Sequence, residues 1–226
     1  TLIGQTIYLA GGQSNQGLDS GMNNFWALDL SQKNDSDAFQ WKQLNPWPGD
    51  SRAFNLTVTQ HNGYDDCIYV MSGRREQEGE TQFLKDVWEF TPRTQSWRER
   101  NELPRCVMAG TGVAVGQSHI FVLGGADGSL FFRGNELKDN HPGFPKEALT
   151  YHTITDTWIS AGTMPANHVT TNPVKWGERI IIPSGEIRPR VRSSKIWSIT
   201  PVAKHHGFGA INYTILISYL SFMILI

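Results

Sequence analysis

One short motif recurs four times in this chain and limits the fold more than any other feature. "IYLAGG" (Ile7–Gly12), "IYVMSG" (Ile68–Gly73), "IFVLGG" (Ile120–Gly125) and "IIIPSG" (Ile180–Gly185) start at intervals of 61, 52 and 60 residues. Each is followed by a variable loop and then a second strand-like run: "FWALDL", "VWEFTP", "ALTYHT" and "KIWSIT". A unit of this length cannot bury its apolar face alone, so a repeated unit implies stacking of like on like.

Each repeat has the ingredients of one four-stranded propeller blade. The innermost strand is short and rich in small residues, as in "MAGTGVAVG". The next strand is an unbroken apolar run, which is expected where neighbouring blades cover both faces. The glycines end that strand and allow the tight turns by which a loop leaves the crowded funnel mouth. An aromatic and a Trp seven residues apart, Phe90 with Trp97 and Tyr151 with Trp158, belong to the outer strands and fill the wedge between blades. Trp41 is expected to do the same in the first repeat, after a longer insertion. These aromatics are read as packing, not as a ligand cage. Three blades are near complete and a fourth is started.

The remaining bulk features exclude more than they assign. A net charge of −1 offers no basic field for nucleic acid. Two cysteines, Cys67 and Cys106, make neither a disulfide framework nor a metal motif and are expected to be buried free thiols. The chain opens on "TLIGQTIYLAGG", with no Met and no signal peptide, and is expected to lack preceding blades. Phe208 to Ile226 carry no charge, and a membrane span needs about 20 apolar residues. The expected organisation is a β-propeller over residues 1–203 and a truncated first transmembrane span over 204–226.

The repeat signature resembles the kelch repeat. The fold class is therefore expected to be all-β: an incomplete kelch-type β-propeller, about 3.5 blades of a six-bladed ring, followed by the truncated helix. The loops "GGADGSLFF", "NHPGFPKE", "YHTITDTW" and "HVTTNPVKWGERIIIPSGEIRPRVRS" resemble the cyclically permuted mutarotase family, a bacterial kelch group related to N-acetylneuraminate epimerase. The tail "GAINYTILISYLSFMILI" looks like the opening helix of a sodium/solute symporter. That likeness implies a membrane partner, a sodium ion and solute for an attached transporter, and a periplasmic or extracytoplasmic propeller.

What the mutarotase resemblance implies is interconversion of the α and β anomers of a sugar such as sialic acid. A base takes the proton of the anomeric hydroxyl while an acid protonates the ring oxygen, and no cofactor or metal is required. The anomeric carboxylate of sialic acid calls for arginine, whose planar fork binds it bidentately. Family likeness assigns Glu186 as general acid/base and Arg192 as carboxylate binder and electrostatic stabiliser. Both lie in a run holding one carboxylate and three arginines (Arg188, Arg190, Arg192), in a chain only 18% charged. Arg190 replaces a glycine common in the family, which raises the question of a positive φ there.

Further candidates for binding the sugar come from position. Arg74 and Asp127 follow their own glycine motifs and are expected at the same funnel-mouth place as Glu186. Arg52 and Arg105 begin inner strands after Pro turns and either line the central channel or make blade-to-blade salt bridges. His141 in "NHPGF" sits over the site or caps a loop, and Arg188 shares the charged loop. Two other functions compete with catalysis: a sugar-binding or sensor module of a membrane transporter, and a plain protein-interaction scaffold.

Overall fold

A computed structural model of the chain describes residues 1–202 and 209–224. The four repeats are four antiparallel sheets. The first holds β1 (Leu2–Ile3), β2 (Thr6–Ala10), β3 (Phe25–Asp29) and β4 (Lys42–Leu44), in that order. The second holds β5 (Leu56–His61), β6 (Asp66–Gln77), β7 (Glu80–Thr91) and β8 (Ser96–Arg100). The third holds β9 (Thr111–Val115), β10 (His119–Leu123), β11 (Glu147–His152) and β12 (Thr157–Thr163). The fourth pairs β13 (Val174–Trp176), β14 (Arg179–Pro183) and β17 (Ile196–Ile199). The loop between β14 and β17 carries its own hairpin, β15 (Glu186–Arg188) with β16 (Val191–Arg192).

Strand alternation explains the unbroken apolar runs. Along β6, Cys67, Tyr69 and Met71 join a core with Ile120, Val122, Leu149 and Tyr151 of the third sheet. The alternate residues Ile68 and Val70 join Tyr8, Ala10 and Phe25 of the first sheet. Between the third and fourth sheets, Val113, Leu123 and Ala148 meet Ile180 and Ile182. A two-residue period therefore serves two interfaces from one strand. Cys67 and Cys106 are buried and free, and burial pushes the Cys67 thiol up to about 11.

The aromatic pairs pack as expected. Phe90 and Trp97 are directly opposite across β7 and β8 with ring centroids 4.9 Å apart, and Tyr151 and Trp158 repeat this at 4.7 Å. Trp41 departs from the pattern. It precedes β4 and is 45% exposed, on a blade that also exposes Leu9. Phe25 of that blade packs instead on Trp97 of the second sheet, at 5.0 Å.

Each motif ends in two successive residues with positive φ: Gly11 and Gly12, Ser72 and Gly73, Gly124 and Gly125, Ser184 and Gly185. In three sheets the strand stops just before this pair. In the second it does not: β6 runs on to Gln77, and the pair forms a bulge between Met71 and Gly73. Here the glycine bends a strand where the sequence suggested an end.

The C-terminal helix, Ala210–Ile224, is 15 residues of exposed side chains. At about 1.5 Å per residue it is shorter than a bilayer core of about 30 Å. Among the described residues no helix is long and apolar enough to cross a membrane. The expected boundary at 203/204 lies outside the described residues, as do Phe208, Leu225 and Ile226 at the ends of the expected span.

Candidate functional site

One backbone device, used in three blades, brings the site together. The residue after each left-handed pair exchanges two backbone hydrogen bonds with the segment entering the inner strand. Arg74 does so with Ala53 (2.9 Å each way), Ala126 with Met108 (2.7 and 2.9 Å), and Glu186 with Val169 (2.9 and 3.0 Å). Arg74, Ala126 and Glu186 are thus equivalent. Asp127, expected at that position, sits one residue further on, because Ala126 itself follows the Gly124–Gly125 pair and takes the place held by Arg74 and Glu186 in their blades. Side chains from these three blades line one cavity of about 230 Å³, with Arg74, Asp127, His141 and Glu186 on its wall.

The Glu186 side chain is half-buried, and among the described residues its carboxylate has no hydrogen bond or ion pair. It is a free proton acceptor on the cavity wall. Arg74 is 4% exposed, and its guanidinium lies 5.1 Å from the ring of Phe54 and 5.5 Å from that of Phe131. Nη1 donates to the Leu18 carbonyl at 3.2 Å, and the buried Nε has no partner. Burial pushes the Arg74 pKa down, against the raising effect of Glu76. No carboxylate among the described residues pairs with this buried cation, so an incoming anion would relieve it.

His141 is 8% exposed, and its Nδ1 accepts from the Gly143 N–H at 3.0 Å. A neutral ring held this way carries its proton on Nε2, as a donor. One nitrogen of His141 thus fixes the loop, while the ring stands on the cavity wall. Asp127 spends one oxygen on its own loop, where Oδ1 accepts from Ser129 N and Oγ at 3.0 and 2.8 Å.

The other candidates lie off this wall. Arg192 is exposed, faces Glu186 in the β15–β16 register, and donates to Thr170 Oγ1 at 3.2 Å. Arg52 is fully buried. Its fork grips Asp86 at 2.9 and 2.5 Å, and it also donates to the Asp50 and Ser72 carbonyls. With four of its five N–H donors engaged and no exposed surface, this guanidinium supports the blade and does not reach the cavity. Arg105, also off the cavity wall, donates to the carbonyls of Cys106 and Glu147 at 3.2 and 3.1 Å, while its Nε, without a hydrogen bond, lies 3.9 Å from the Glu147 carboxylate. Arg188 is tied to Asp139 through two bonds of 2.6 Å. Arg190 has φ of 64° and an exposed side chain, so the backbone does adopt the left-handed form that glycine favours there. Sequence reasoning missed Phe54 and Phe131, which flank Arg74; the doubled "FF" in a polar loop was the available signal for the second. Among the described residues no group of three His, Cys, Asp or Glu side chains is placed to hold a metal.

Comparison with known proteins gives a consistent picture. The family model described as N-acetylneuraminate epimerase matches residues 2–140. A protein named N-acetylneuraminate epimerase from Haemophilus influenzae is 27% identical over 218 residues, covering 86% of this chain and 54% of the relative. One named N-acetylneuraminate epimerase 1 from Escherichia coli is 26% identical over 205 residues, covering 80% and 53%. The chain thus spans about half the length of the curated relatives it matches. The solved structure of YjhT superposes with a TM-score of 0.66 at 22% identity, covering 88% of this chain and 64% of that one. That likeness is one of fold.

Proposed function

The chain belongs to the N-acetylneuraminate epimerase family, and from that membership we propose that it is a sugar mutarotase interconverting the α and β anomers of N-acetylneuraminate. The observation that carries this reading is the wall of the cavity, where an unpaired Glu186 carboxylate, the His141 ring and an unpaired Arg74 guanidinium stand together.

In the proposed reaction Glu186 takes the proton of the anomeric hydroxyl. The C–O bond to the ring oxygen breaks, the anomeric carbon becomes a carbonyl, and His141 Nε2–H protonates the released ring oxygen. Rotation about the adjacent C–C bond presents the other carbonyl face. The ring oxygen then attacks it, its proton returns to His141, and Glu186 returns its proton to the new hydroxyl. Protons and electrons balance over the cycle, so no oxidant or metal is consumed. Arg74 binds the substrate carboxylate inside the cavity. Arg192, opposite Glu186 in register, steadies its negative charge from the rim. Asp127 holds its own loop in place at the cavity wall.

The test is NMR of freshly released α anomer. Wild type should speed appearance of the β form, and Glu186→Gln should lose about 10²-fold or more of that acceleration. An unchanged rate in the variant rejects the assignment, and sugar binding without acceleration in wild type identifies a binding module instead. The second part of the proposal is attachment to a sodium-coupled transporter, with the propeller outside the cytoplasm. The uncharged run from Phe208 to Ile226 supports it. Sodium-dependent uptake of N-acetylneuraminate in the native membrane tests it, and uptake indifferent to sodium refutes it.

A further inference from the structure

A second cavity, of about 350 Å³, adjoins the first and shares with it the wall formed by His141, Gly143 and Phe144. Apart from the Ser193 hydroxyl, which accepts from the Lys195 N–H at 3.1 Å, and the Asn167 amide, its polar side chains are donors. His168 is 3% exposed, and its Nε2 accepts from the Trp197 indole N–H at 3.1 Å. The neutral ring therefore carries its proton on Nδ1, and that buried Nδ1 has no partner among the described residues. Arg188 spends both terminal nitrogens on Asp139, while its buried Nε is also unpaired. Lys146 and Lys195 complete the wall, and neither is in an ion pair among the described residues.

No Asp or Glu lines this cavity, and Asp139 stands outside it, 91% exposed. The Asn167 amide is already committed to the Gly125 and Pro145 backbone. A buried donor without an acceptor costs about 1–3 kcal/mol. Two on one wall, flanked by two free ammonium groups, form a lining that only an acceptor satisfies. Phe144, Ile187 and Trp197 supply apolar surface beside these donors.

The geometry points to a second ligand site: a small oxyanion, carboxylate or phosphate, bound by His168 Nδ1–H and Arg188 Nε–H between Lys146 and Lys195. Its position beside the first cavity allows two sources for the same chemistry. One is a free anion. The other is an additional acidic group on a sugar whose ring lies in the first cavity.

The experiment is NMR titration of the ¹⁵N-labelled chain with inorganic phosphate at constant ionic strength. The Trp197 indole and His168 ring signals should move saturably. The double variant Lys146→Met, Lys195→Met, on two exposed side chains, should weaken phosphate about tenfold. His168→Phe should abolish the response of the remaining cavity signals, and the lysine variant decides the matter if that protein fails to fold. Absence of a saturable shift, or wild-type affinity in the double lysine variant, overturns the proposal. Two arms separate the sources. Displacement of phosphate by N-acetylneuraminate 9-phosphate, but not by N-acetylneuraminate, assigns the site to a second acidic group of the sugar. Displacement by neither assigns it to a free anion. The phosphate result does not depend on the mutarotase reading, which failure of N-acetylneuraminate to bind the first cavity would sink alone.

Discussion

Arg52 and Arg74 are 22 residues apart in the same blade region, both are buried, and they do opposite things. Arg52 has its fork closed on Asp86, so it is a strut. Arg74 has two aromatic faces and one carbonyl, so its charge is left for a ligand. Burying an unpaired charge destabilises a fold, and removing it is tolerated. Arg74→Leu should therefore keep or raise the melting temperature while weakening N-acetylneuraminate binding about tenfold to a hundredfold, measured by calorimetry. Wild-type affinity in that variant would remove Arg74 from the site. Arg190→Gly tests the left-handed residue at the loop tip. Glycine relieves about 1 kcal/mol of strain but gives back a similar amount in chain entropy, so stability should barely change. Anomerisation should persist because the side chain points to solvent; loss of activity would give Arg190 a role its position denies. The sequence exposed these arginines as candidates but not their partners, since Asp86 and Phe131 lie far along the chain from them.

At the scale of the element, the left-handed pair is the device that turns the residue after it onto the cavity wall, whether the strand ends there or bends. Gly73 has φ of 109°, and a Cβ built there meets the Ala53 carbonyl oxygen at 2.7 Å. That oxygen accepts the Arg74 N–H, so it cannot retreat without breaking the bridge. Gly73→Ala should cost about 2–3 kcal/mol, lowering the melting temperature by about 5–10 °C. Gly79, with φ of 82° and open space around it, provides the control: Gly79→Ala pays only the backbone strain. Equal losses in the two variants would show that close approach to Ala53 is not what matters. The glycine motif was legible in the sequence, and so was its link to the funnel mouth. Its serine variants were legible as well, but not the fact that Ser72 and Ser184 take the same left-handed form as Gly11 and Gly124. Their conformation is imposed by the two-way bridge that follows, which is a contact between segments.

Across the molecule, the blades are joined by cores that alternate strand residues share. Ile120 is fully buried in the core between the second and third sheets. Ile120→Ala should cost about 2–5 kcal/mol, seen in denaturant unfolding as an earlier midpoint of one shared transition for both blades. Two separated transitions would show that the blades do not share that core. Polar groups reinforce the same interface. Buried Glu89 accepts from the Tyr69 hydroxyl at 3.0 Å and from Arg98 at 2.9 Å, while Arg100 donates to the Tyr151 hydroxyl at 2.9 Å. The sequence by itself determined the four blades, the two-sided burial of their second strands, and the place of Glu186 behind a turn. Those follow from residue spacing, which sets which way neighbouring side chains face. Only the tertiary structure decided that Arg74, His141 and Glu186 share one cavity while Arg52 and Arg105 do not. The reason is physical: those three come from separate blades and a long loop. Spacing along a strand says nothing of which distant side chain arrives opposite, and a charge becomes a binding group only when packing leaves it without a partner.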